Sequence, residues 1–183
     1  MPLRPTPAHT RHVSTIPRSR TLRRFRDPRS TVHDFLKDIL VVCPRCAGSA
    51  NVQQAQGGSD AGNRPIFAPR RLVCRHCGLA KAMTSRRLTF SRGTTRGATD
   101  PYFGLPLLLQ TETRHGWLWA YNPERLTLIR SYAAASLRER VPWYDTGQKM
   151  TLVARLPVWI KHAKNRDEVL RAVDRLRAAL IAD

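Results

Sequence analysis

Ile39-Leu40-Val41-Val42-Cys43-Pro44-Arg45-Cys46-Ala47-Gly48 and Leu72-Val73-Cys74-Arg75-His76-Cys77-Gly78 are the two stretches that decide how this chain is read. Each is an apolar, strand-like run that ends in a C-x2-C pair followed by small residues. The chain has 4 cysteines, and these are all of them. A structural zinc ion takes four soft or borderline ligands in a tetrahedron, and four thiolates supply it. Two residues between paired cysteines let the chain turn so that both sulfurs address one ion. Cys43, Cys46, Cys74 and Cys77 are therefore expected to hold one structural Zn2+. Four protein ligands leave no open position for water or substrate, so this zinc is not expected to be catalytic. The competing readings are a redox pair and a disulfide framework. A thioredoxin-like site has one such pair at a helix start in a βαβ setting, whereas both pairs here follow strands. His76 lies inside the second pair and reads as solvent-facing or adjacent to the site, because four thiolates already complete it.

Working outward, Ile39–Val42 leads into the first cysteine turn and 47–53 returns from it. Ile66–Val73 and Leu79–Thr84 form the hairpin of the second turn. The spacer between the pairs is 27 residues, beyond the common 15–20 or so. The Gly- and Asn-containing stretch 54–65 accounts for the excess as a turn or open loop. The segment 85–101 carries Arg86, Arg87, Arg92 and Arg96 with two glycines, and reads as a basic linker.

Past it, Leu107–Thr113 and Trp117–Tyr121 read as a hairpin turning at Arg114-His115-Gly116. Trp117, Trp119 and Tyr121 alternate onto one face, a pattern that fits core packing or, less often, a platform for stacking bases. Asn122-Pro123 is a helix start, with Asn122 as cap and Pro123 in the first turn. That helix is expected to reach about Arg140, with Leu126, Ile129, Ala133 and Leu137 on its apolar side. A short helix over Pro157–Lys164 and a last one capped by Asn165, with Val169, Val173, Leu176 and Leu180 inward, complete the chain.

The expected fold is thus α+β: a four-cysteine zinc ribbon followed by a β-hairpin packed with two or three helices. Its organisation is a disordered basic arm over 1–30, the ribbon over 31–85, a basic linker over 86–99 and a C-terminal α+β unit over 100–183.

Charge is the other anomaly. Among 183 residues there are 32 Lys+Arg and 13 Asp+Glu, a net charge of +19, with a pI near 11.4. Residues 1–32 hold eight arginines and one acid, so the first part is densest, but the body is basic too. Such a balance favours polyanions. Arg45, Arg70, Arg71, Arg75, Lys81, Arg86 and Arg87 flank the cysteine pairs and are the expected phosphate contacts. Arginine binds phosphate through two parallel donors and also stacks on bases. No groove-reading helix is identifiable, so neither DNA nor RNA is singled out.

No apolar run is long enough for a transmembrane helix, and residues 1–30 lack the apolar stretch of a secretory signal. An Arg-rich, acid-poor start also fits a transit peptide. The cytoplasmic reading, with no membrane partner, keeps the thiols reduced for metal. Paired carboxylates, Ser/His/Asp sets, H-E-x-x-H and phosphate-binding glycine loops are absent from the sequence. Asp100, His115 and Asp145 are the polar residues left for a hidden nuclease. The leading expectation is a non-enzymatic, zinc-dependent nucleic-acid-binding or regulatory protein. The others are an adaptor that docks a protein partner on the C-terminal unit, a small basic component of a ribonucleoprotein, and the nuclease.

Cys-Pro-Arg-Cys at 43–46 and Cys-Arg-His-Cys-Gly at 74–78 resemble zinc-ribbon proteins of the transcription factor IIB type. The likeness covers about 45 residues and is specific for zinc rather than for function. Asp-Pro-Tyr-Phe-Gly-Leu-Pro at 100–106, Trp-Ala-Tyr-Asn at 119–122 and Lys-Asn-Arg-Asp-Glu-Val-Leu at 164–170 look like small bacterial proteins that carry the same zinc-ribbon label. The resemblance implies a bacterial cytoplasmic protein and supplies no catalytic residues.

Overall fold

Strand β2, Asp38–Val42, has both of its edges and both of its faces occupied. The computed structural model describes residues 23–55, 65–83, 88–90, 97–139 and 151–182. In β2 the period-2 alternation of a strand puts Ile39 and Val41 on one face and Leu40 on the other. Ile39 and Val41 are fully buried in one core, with Val52, Leu72, Tyr102, Leu107 and Tyr121. Leu40 packs against a second core built around Leu118, Leu126, Ile129 and Val173.

One edge of β2 pairs antiparallel with β3, Ser49–Gln54. The sheet continues to β4, Arg70–Val73, and β5, Ala80–Ala82, in the order β2-β3-β4-β5. The register sets Ile39 opposite Val52 and Val52 opposite Leu72, so β2, β3 and β4 share one buried apolar row. The other edge of β2 bonds to the C-terminal part of the chain. The Leu40 amide donates to the Tyr121 carbonyl (2.8 Å), the Leu108 amide to the Leu40 carbonyl (3.0 Å), and the Val42 amide to the Pro106 carbonyl (2.9 Å). The residues assigned to the ribbon and those assigned to the second unit thus share backbone hydrogen bonds and one core. The end of the expected linker joins them: Ala98 is buried, its amide donates to Gln110 Oε1 (2.7 Å) and its carbonyl accepts from the Leu107 amide.

The expected hairpin is present as β6, Gln110–Thr113, and β7, Gly116–Trp119. Helix α1, Pro123–Ala134, begins where the Asn-Pro pair predicts. Asn122 Oδ1 accepts from the Arg125 amide (3.0 Å), and its Nδ2 donates to the carbonyls of Phe35 and Asp38 (both 3.1 Å). One side chain therefore caps the helix and ties it to the start of β2.

The expected helix to Arg140 ends earlier. Leu137–Arg138 forms a short strand, β8, parallel to β1, Arg24–Phe25. The Ser136 amide donates to the Arg23 carbonyl (2.9 Å) and the Glu139 amide to the Phe25 carbonyl (3.0 Å). Leu137, expected on the apolar side of the helix, is 44% exposed. The same pairing corrects the expected disordered arm at its C-terminal end. Phe25 is buried edge-on against Tyr132, and buried Asp27 accepts from the Thr151 hydroxyl (2.9 Å). Residues 23–30 belong to the fold; residues 1–22 lie outside the described residues.

Two short helices, α2 (Leu152–Arg155) and α3 (Val158–Lys161), lead to α4, Arg166–Ala182. Asn165, the expected cap, sits in a 3-10 turn before α4, where its Nδ2 donates to the Trp159 carbonyl (2.8 Å). Val169, Val173 and Leu176 of α4 are buried against α1 as their spacing predicts. The fold is mixed, with antiparallel sheets, one parallel strand pair and helices. No helix among the described residues is long and apolar enough to cross a membrane.

Candidate metal centre

Strands β2 and β4 each end one residue before a cysteine, and the two turns that follow repeat one hydrogen-bond pattern. The Cys43 amide donates to the Gly48 carbonyl (2.8 Å) and the Cys74 amide to the Leu79 carbonyl (2.8 Å). The Ala47 amide donates to the Cys43 carbonyl (2.9 Å) and the Gly78 amide to the Cys74 carbonyl (3.0 Å). The residue after each second cysteine turns through the left-handed region, Ala47 with φ 59° and Gly78 with φ 71°. Glycine adopts this conformation freely; alanine carries a Cβ penalty there.

The sheet register brings the two turns face to face. Cys43 Sγ lies 3.7 Å from Cys77 Sγ, and Cys46 Sγ lies 3.6 Å from Cys74 Sγ. All four sulfurs fall within 4.8 Å of one another. A tetrahedral ion with bonds of about 2.3 Å places its sulfurs about 3.8 Å apart, so the set fits a zinc-sized ion. Cys43 and Cys74 are buried, while Cys46 and Cys77 are half-buried. Among the described residues this is the one cluster of His, Cys, Asp or Glu with ligand atoms so placed. His76 is exposed and is not part of it.

The sulfurs also divide the protons unequally. Burial opposes ionisation of Cys43, but the Arg45 amide, 3.4 Å from its Sγ, and the neighbouring backbone and thiols hold its pKa down at about 6. The Gly48 amide favours the Cys46 thiolate, yet burial and the other three sulfurs push that thiol up to about 12. Crowding of this kind is what a cation at the centre would relieve.

The basic residues chosen for their sequence proximity separate in space. Arg45 and Arg75 are exposed in the two cysteine turns. Arg71 is exposed on the outer face of the sheet, opposite Gln53, and Lys81 is exposed on the edge strand β5. Arg70 does not join them. Its alternate position on β4 turns it inward, where it is 2% exposed. Its Nη1 donates to the carbonyls of Leu36 (2.7 Å) and Lys37 (3.1 Å), and its guanidinium stands over the Tyr102 ring. It holds the 3-10 turn Val32–Phe35 onto the sheet and cannot reach a phosphate from there. Arg86 and Arg87 lie outside the described residues.

The residues reserved for catalysis have other surroundings. Asp100 is fully buried, and its carboxylate accepts from the amides of Tyr102 (2.9 Å), Phe103 (2.8 Å) and Leu105 (2.7 Å). Burial raises its pKa against the pull of those three amides. It shapes the 100–105 loop. His115 stacks on Trp159 and lies 3.5 Å from Glu168, and Asp145 lies outside the described residues. Tyr121 is buried, Trp117 and Trp119 are half-buried, and Leu118 and Ala120 are buried on the opposite face. Set against known protein families, curated proteins and solved structures, the chain matches none of them.

Proposed function

We propose that Cys43, Cys46, Cys74 and Cys77 hold one structural zinc ion in a ribbon of the transcription factor IIB type, and that the chain is a non-enzymatic nucleic-acid-binding or regulatory protein. The observation that carries this reading is the convergence of four sulfurs from two strand ends within 4.8 Å. Bound there, zinc would cross-link β2, β3 and β4 at one end and offer no open position for chemistry. Arg45, Arg71, Arg75 and Lys81 are then the residues that contact phosphates, on a chain of net charge +19. Thiolate ligation of this kind belongs in a reducing compartment, which agrees with a cytoplasmic location.

Elemental analysis of the purified chain should give one zinc per molecule. Binding to duplex DNA, single-stranded DNA and RNA, each measured across a salt series, tests the second half. Phosphate-driven binding weakens with a log–log slope of about −0.9 per duplex contact. Reversing the charge of Arg71 and Arg75 should flatten that slope. Absence of binding at low salt, together with nuclease-insensitive capture of a single protein partner, would replace this reading by that of an adaptor.

A further inference from the structure

Arg125 is a buried cation with incomplete partners. It lies one residue before Leu126 and four before Ile129, so the helical repeat of α1 sets it beside the apolar stripe. It is 6% exposed. Its guanidinium carbon stands 3.9 Å from the centre of the Trp119 ring and 4.8 Å from that of Tyr121. Its Nε and Nη1 are buried and meet no hydrogen-bond acceptor among the described residues. Burial lowers its pKa to about 10 against the favourable effect of Tyr121, so it keeps its charge at neutral pH. Ring faces compensate a buried guanidinium only in part, and the usual completion is an anion.

Arg125 is one of the residues that line a cavity of about 580 Å³. Trp117, Trp119 and Tyr121 line it, His33 and Arg155 stand exposed around it, and none of its lining residues among those described is acidic. The volume is that of an ordinary small-molecule site, and its make-up is that of one: mostly apolar walls with a few polar groups. A cation and flat aromatic walls in one hollow suit a ligand that joins an anion to a planar ring.

We propose that this cavity binds a nucleotide, with the phosphate drawn to Arg125 and Arg155 and the base laid against the indole walls. Guanidinium groups bind phosphate strongly, and every base has a face that stacks on an aromatic ring. The cavity shares no residue with the four-cysteine site or with the arginines around it. It therefore stands independently of phosphate binding by the ribbon. The nucleotide has two sources, a free mononucleotide or one residue of a single strand, and both present the same chemistry.

Calorimetry and tryptophan fluorescence on the full chain separate the outcomes, with nucleoside monophosphates, nucleosides, inorganic phosphate and a short single-stranded oligonucleotide as probes. The expected result is saturable binding of a monophosphate, tighter than of nucleoside or phosphate alone, with a change in indole emission. Arg125→Gln and Trp117→Leu should each weaken it by about ten-fold or more, at unchanged metal content and circular dichroism. Should Arg125→Gln fail to fold, Arg155→Gln and Trp117→Leu decide. Binding of the oligonucleotide alone, with the same dependence on these residues, identifies a strand as the source. Substituting Arg71 and Arg75 together should leave mononucleotide affinity unchanged, which keeps this site distinct from the ribbon. Equal affinity for inorganic phosphate overturns the proposal. So does affinity that survives both Trp117→Leu and Arg155→Gln, or silence from every probe.

Discussion

Position 47 is where the two cysteine turns differ in chemistry but not in shape. Ala47 and Gly78 follow the second cysteine of each pair, and both have positive φ. Only Gly78 does so without a Cβ penalty, and nothing lies within 4 Å of a Cβ built there. The cost of a side chain at position 78 is therefore the backbone penalty alone. Gly78→Ala should destabilise the chain by about 1–2 kcal/mol. Ala47→Gly should stabilise it by about 0.5–1 kcal/mol, the relief of strain being offset by the entropy that glycine adds to the unfolded state. Urea denaturation of the metal-loaded protein checks both, and equal and same-signed effects would contradict the paired-turn geometry. If the four sulfurs hold zinc as proposed, Cys43→Ser removes one of four ligands and should release it, read as metal content below one per chain. The sequence carried this site because C-x2-C turns are local structures. It gave no sign that Arg70 faces inward, because that depends on which side of β4 the neighbouring strand covers.

Among the elements, β1 changes the reading most. Its two residues lie in the stretch expected to be a disordered arm, yet Phe25 reaches the core and packs on Tyr132. Phe25→Ala should cost about 3–5 kcal/mol, and deletion of residues 1–30 should lower the melting temperature rather than leave it unchanged. Deletion of residues 1–22 alone removes four arginines and no acid and tests charge without touching β1. Helices α1 and α4 are joined at their surface by Arg130 Nε and Asp174 Oδ1 at 2.8 Å. That hydrogen bond, against a small burial effect, holds the Asp174 pKa below its ordinary value. The pair thus contributes above the unfolded carboxylate pKa of about 3.9, and the contribution is lost as pH falls through the lower folded value. Because both groups are partly exposed, Asp174→Asn should cost no more than about 1 kcal/mol. Its difference from the parent chain, followed by denaturation against pH, should shrink in acid. The start of α1 was legible because Asn122-Pro123 is a local signal. Its end was not, because the partner of Ser136 is a backbone carbonyl 113 residues away, at Arg23.

For the molecule as a whole, β2 links residues on the two sides of the boundary that composition suggests near residue 85. The edge of β2 away from β3 is bonded to Tyr121, Pro106 and Leu108, and its two faces feed two cores. Chelation of the proposed zinc should therefore lower the stability of the entire chain in a single cooperative transition. A calorimetric trace with two separate transitions, only one of them sensitive to chelator, would show instead that the cysteine-bearing sheet folds on its own.

What the sequence determined by itself was whatever depends on near neighbours: two metal-type turns, the hairpin, the capped helix and a surface rich in arginine. Spacing, caps and alternation are properties of a few consecutive residues, and they hold wherever the segment is placed. The tertiary structure alone decided that β1 completes the helical core, that Arg70 points inward, and that Arg125 lies beside a cavity. The pairing of β1, the inward turn of Arg70 and the walls of the cavity depend on contacts between residues far apart in the chain, which sheet register and burial fix only once the whole molecule has packed.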